Sequence, residues 1–112
     1  MRTFIFSAAL LSLLPLSQAH AGSALSAGEL RSLAPGSYDV EVMDTVSLTV
    51  KLFANGQMSG NTGGQRDTGH WHVSGDRLCI SWNKWLGGHT KCSSLVEQNG
   101  ALQGEGLTIK RI

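Results

Sequence analysis

The chain has 112 residues, a formal net charge of +1 and two cysteines. This length suits one domain. Nearly balanced charge excludes the basic footprint of a nucleic-acid-binding protein or of a helix that lies on a membrane surface, so we expect no nucleic-acid partner.

Residues 1–21 have the pattern of a secretory signal peptide. Arg2 is followed by the apolar run 4–16 and by the small-residue cleavage site Ala19-His20-Ala21. The apolar run is too short to span a bilayer, so no membrane span is predicted. We therefore expect a single β-rich domain over 22–112, either periplasmic or secreted.

The two cysteines, Cys79 and Cys92, are an even number in a chain predicted to be exported. This indicates one disulfide rather than thiol ligands or a redox pair, because no CxxC motif is present.

One short helix is predicted, within residues 25–33. Ser26 and Glu29 have the spacing of a capping box, and Pro35-Gly36 ends the helix. The helix is too short to be stable alone, so we expect it to cover one end of a sheet.

From Tyr38 onwards the hydrophobic period is two, which predicts strands. Asn55-Gly56 and Asn99-Gly100 each predict a type I′ turn, and the glycine-rich residues 60–69 are interpreted as a loop. The predicted strands, joined mostly by short connections, lie at 38–43, 46–52, 70–73, 77–82, 90–96, 101–103 and 106–111. The expected fold is mainly β: a short N-terminal helix, then seven or eight antiparallel strands in a small up-and-down barrel or strongly curved sheet with one disulfide.

The most distinctive segment is Gly69-His70-Trp71-His72-Val73, followed by Gly75-Asp76-Arg77-Leu78-Cys79-Ile80 and Trp82. It resembles a family of small exported bacterial domains of uncharacterised function, which share a helix of the E-L-R-x-L type, a G-x-W-x-V-x-G-D-x-L-C-x-x-W core and a second cysteine downstream. The resemblance implies a helix-then-sheet domain with a cystine and no particular activity. The G-x-W is also similar to the lipocalin and avidin fingerprint, but it stands in mid-chain here. This position argues against a lipocalin-type cavity, and a barrel this small is expected to fill its interior with side chains.

Three histidines are candidate metal ligands. His70 and His72 share one face of a predicted strand, and His89 could supply a third nitrogen. A periplasmic metal-binding protein is therefore an alternative function, although no carboxylate or thiolate stands at a recognisable ligand spacing.

Catalytic patterns are absent from the sequence. No G-x-S-x-G elbow is present, and Asp39 and Glu41 alternate with valines in the manner of a solvated strand face. We expect neither an enzyme nor a cofactor.

The connection around residues 83–89 is the predicted partner-binding surface. The connection combines a large aromatic, an aliphatic, a cation and an imidazole, which is the composition of an interaction hot spot; the predicted contact residues are Lys84, Trp85, Leu86 and His89. The alternative is that Trp85 folds back and caps the barrel mouth.

The preferred function is a non-enzymatic binding domain, as an inhibitor or accessory subunit, whose partner is a protein or a small ligand. An envelope structural component is the second alternative.

Overall fold

The computed structural model describes residues 23–112. The predicted signal peptide and cleavage site therefore lie outside the described residues. The elements in chain order are α1 (Ala27–Arg31), β1 (Gly36–Val42), β2 (Val46–Leu52), β3 (Gln57–Thr62), β4 (Gln65–Ser74), β5 (Arg77–Trp82), a 3-10 turn (Trp85–Gly88), β6 (Thr90–Ser93), β7 (Val96–Gln98), β8 (Ala101–Gly104) and β9 (Leu107–Arg111).

The predicted capping box begins helix α1. The Ser26 hydroxyl accepts a hydrogen bond from the Glu29 N–H, and the Glu29 carboxylate accepts one from the Ser26 N–H. Leu30 is fully buried and fixes the helix against the sheet. The helix contacts β4 and β5, and so it covers one end of the sheet as expected.

All nine strands belong to one antiparallel sheet with the order β6-β5-β4-β3-β2-β1-β9-β8-β7. Each strand pairs with its neighbour in the chain except at β6 and β7, and β1 also pairs with β9. The sheet curls into a half-barrel. Only Ser94 and Leu95 separate the two edge strands, and the Ser93 hydroxyl accepts a hydrogen bond from the Glu105 N–H beyond β8. The chain itself thus bridges the two edges of the sheet.

The predicted fold class is confirmed, but the number of strands is nine rather than seven or eight. Two local features explain the difference. Residues 60–69 are not a loop: they form most of the β3–β4 hairpin, in which Gly63 and Gly64 adopt positive φ at the turn. The predicted strand at 90–96 is interrupted at Ser94 and Leu95, so that β6 pairs with β5 and β7 pairs with β8.

The two Asn-Gly pairs form different turns. Asn99 and Gly100 both have positive φ, as a type I′ turn requires. Asn55 does not have positive φ; its side-chain carbonyl accepts a hydrogen bond from the Gln57 N–H, in a longer connection. The prediction of a type I′ turn is therefore right at Asn99-Gly100 and wrong at Asn55-Gly56.

The disulfide between Cys79 and Cys92 joins β5 to β6, with an S–S distance of 2.06 Å. The two residues are direct cross-strand neighbours, which is a spacing that a cystine can bridge. This bond confirms the predicted pairing and indicates an oxidising compartment outside the cytoplasm.

Candidate functional site

A cavity of about 670 Å³ lies on the concave side of the curled sheet. Its walls come from inward-facing positions of β1, β2, β3, β5 and β9, and they consist mostly of aliphatic side chains. These include Val40, Val42, Leu48, Val50, Met58, Leu78, Ile80, Leu107 and Ile109. A volume in the range of 300–1,000 Å³ is typical of small-molecule sites.

Side chains fill part of the interior, as the sequence predicts: Val40, Val50 and Met58 are 9% exposed or less and belong to the hydrophobic core, and the cavity opens over them. Strands β1 and β2 contribute valines rather than larger residues to the middle of the wall, as at Val40 and Val50. Gly60 faces inwards on β3, and the rings of Trp82 and Trp85 occupy the space over it. We infer that medium-sized residues on a strongly curved sheet leave the space open.

Tyr38 closes the end of the cavity nearest the helix. Its hydroxyl donates to the Leu33 carbonyl and accepts a hydrogen bond from Arg111 at 2.8 Å. Burial raises the pKa of this phenol, and the Arg111 charge offsets part of the effect. The hydroxyl is thus satisfied by the protein, and this end of the cavity is apolar.

The opposite end is the mouth, and exposed apolar side chains surround it. Met43 is 74% exposed, Val46 45% and Leu86 54%, and all three line the cavity. Met43 and Leu86 also adopt positive φ, which is uncommon for non-glycine residues and is concentrated at functional sites.

A buried carboxylate holds the connection over the mouth in place. Asp67, on β4, is 6% exposed and accepts hydrogen bonds from the backbone N–H groups of Lys84 at 2.8 Å and Trp85 at 2.9 Å, as well as from Thr68. Burial alone would raise the pKa of the Asp67 carboxyl. The backbone hydrogen bonds and the Lys84 charge outweigh burial, so the pKa is lowered. The carboxylate is therefore ionised and anchors this connection.

Trp85 packs against Trp82, with ring centroids 4.8 Å apart, and both rings line the cavity. Both rings lie over Gly60, the residue opposite Asp67 in the β3–β4 ladder. Trp85 is half-buried, so in this structure it forms part of the wall near the mouth.

The predicted partner-binding residues lie together on this connection, but their exposure differs. Lys84, Leu86 and His89 are exposed, and Leu86 is the exposed large apolar residue among them. Sequence reasoning missed Asp67, because it placed this residue in a polar glycine-rich loop. A single Asp there carries no pattern that distinguishes a buried carboxylate from a solvated one.

The three candidate metal ligands are not brought together. His70 and His72 are exposed on β4, whereas His89 directly precedes β6. Because β5 lies between these strands, the backbone of His89 is about 10 Å from β4. Within residues 23–112, no three His, Cys, Asp or Glu side chains form a group that could hold a metal ion.

The convex face of the sheet carries a second depression, of about 640 Å³. Asp39 and Glu41 line it together with Thr49, Thr108 and Lys110, and both carboxylates are exposed. This agrees with the predicted solvated strand face. The concave cavity is the better candidate site, because its walls are apolar.

Comparison of the chain with protein-family models, curated proteins and solved structures finds no match to any of them. In the described part of the chain, no helix is long and apolar enough to cross a membrane.

Proposed function

We propose that this protein is an exported, non-enzymatic binding protein, periplasmic or secreted, that holds a small apolar or amphipathic ligand on the concave side of its sheet. One observation carries the proposal: the cavity of about 670 Å³ has predominantly aliphatic walls. Transfer of apolar ligand surface from water into such a space is favourable, by roughly 25 cal/mol per Å² buried.

The mouth supports the same function. Exposed apolar side chains that are grouped into one patch often mark an interaction site, and here Met43, Val46 and Leu86 are grouped at one opening. A ligand that entered there would cover them in part. The proposal includes no catalytic step and no cofactor.

Titration with N-phenyl-1-naphthylamine, a neutral probe that fluoresces in apolar surroundings, tests this function. We expect saturable binding of about one probe per chain. Val50→Phe, which places an aromatic ring in the cavity, should weaken binding about tenfold or more. Thr49→Phe is the matched control, because successive residues of a strand face opposite sides and Thr49 lies on the convex face.

Two results would contradict the proposal. Absence of saturable binding by the wild-type protein would exclude the cavity as a ligand site. Equal loss of binding in Val50→Phe and Thr49→Phe would show that the probe binds outside the cavity.

A second candidate function is binding of a protein partner, as an inhibitor or accessory subunit. It is favoured by the exposure of Leu86 beside Lys84 on the same connection. The two functions predict different effects of the same two substitutions. Leu86→Ser should abolish capture of a protein partner while Val50→Phe leaves it intact, whereas a ligand carrier responds chiefly to Val50→Phe.

A further inference from the structure

We propose that the ligand is a single-chain amphiphile with one anionic head group, and that Lys91 binds this head group at the mouth. The inference rests on the ligand-binding function proposed above and assigns the chemical class of the ligand.

Lys91 lies on the concave face of β6, where alternation favours an apolar residue. It is the register partner of Ile80, and both residues line the cavity. The neighbouring Cys92 is cross-linked to β5, so the backbone that carries Lys91 is held in place. A lysine at such a position packs its aliphatic stem against the cavity wall and directs its ammonium towards the solvent at the opening.

The Lys91 ammonium has no partner in the described part of the chain. No hydrogen bond or ion pair within residues 23–112 involves it. A cation that lies beside an apolar cavity without a counter-ion favours an anionic ligand, because charge-assisted hydrogen bonds are stronger at such a boundary than in water.

Glu105 limits the charge that the head group can carry. It is the other charged residue that lines the cavity, and it lies in the exposed turn between β8 and β9. Its carboxylate repels anions, so a head group with a single negative charge is favoured over a dianion. Removing the Glu105 charge should therefore strengthen the binding of an anionic amphiphile.

The shape of the site determines the rest of the ligand. The walls behind Lys91 are aliphatic, and the far end is closed by Tyr38, whose hydroxyl already has partners. An alkyl chain suits this space, because it packs against aliphatic walls and needs no hydrogen bonds.

The test compares tetradecanoate with tetradecanol, which share a chain and differ in head-group charge, by displacement of the neutral naphthylamine probe at neutral pH. We expect the wild-type protein to bind the acid about tenfold more tightly. Lys91→Gln should remove this preference, while Lys91→Arg should retain it. Glu105→Gln should increase it. Lys110→Gln, on the convex face, is the matched control and should change neither affinity.

The outcomes separate the two proposals. Equal affinity of the wild-type protein for acid and alcohol, or a preference that survives in Lys91→Gln, would overturn the role of Lys91 and leave the cavity function standing. Failure of both compounds and of the probe to bind would overturn both. Thermal unfolding of each variant verifies that it is folded before the comparison.

Discussion

Substitution of Gly60 by alanine should displace the tryptophan pair at the cavity mouth. A Cβ at this position would lie 2.6 Å from Cη2 of Trp82 and 2.8 Å from Cζ3 of Trp85, whereas ordinary contact begins at 3.4 Å. To reach 3.4 Å, the Trp82 ring must therefore move away by about 0.8 Å and the Trp85 ring by about 0.6 Å. Trp82 is 6% exposed within the core, so we expect Trp85, on the connection, to move.

The expected cost of Gly60→Ala is that of an overpacked core, on the order of 1–3 kcal/mol. For a domain of this size, a loss of about 2 kcal/mol lowers the Tm by roughly 8–16 °C. Backbone strain adds nothing, because Gly60 does not have positive φ. The free energy of unfolding is measured by urea titration, and the exposure of Trp85 by iodide quenching of tryptophan fluorescence.

Gly28→Ala is the matched control, since a Cβ at Gly28 would have no atom within 4 Å. It lies in α1 and should leave stability unchanged or raise it by up to about 1 kcal/mol. If Gly60→Ala were as stable as the wild-type protein and its quenching unchanged, the packing of both rings over Gly60 would be refuted.

Two further predictions concern the disulfide and the buried carboxylate. Reduction of the Cys79–Cys92 bond should lower the free energy of unfolding by about 3 kcal/mol, as measured by urea titration with and without reductant; the doubly alanine-substituted protein should not respond to reductant. Equal midpoints for the oxidised and reduced wild type would contradict this. Because the folded-state pKa of Asp67 is lowered below its ordinary value of 3.8, its contribution to stability is complete above that value and is lost as the pH falls through the folded-state pKa. Urea midpoints between neutral pH and pH 3 should therefore fall less steeply in Asp67→Asn than in the wild type, and parallel curves would exclude this role.

The sequence by itself determined the features that depend on local chemistry. The capping box of Ser26 and Glu29 begins the helix, because the two side chains satisfy N–H groups only three residues away. Alternation of apolar and polar residues predicts β2 at its observed bounds and β1 to within two residues, because one face of each strand packs on the core. The disulfide followed from an even number of cysteines in a predicted exported chain.

The tertiary structure decided the features that depend on distant neighbours. Residues 60–69 form a hairpin although their composition suggests a loop, because β2 and β5 supply hydrogen bonds on either side. Asp67 is buried because its partners are N–H groups 17 and 18 residues away, a distance that no local pattern encodes. The cavity depends on the curvature of the whole sheet and on the sizes of inward residues from many strands. Whether an interior is filled or open is therefore a property of the assembled sheet and not of any one segment.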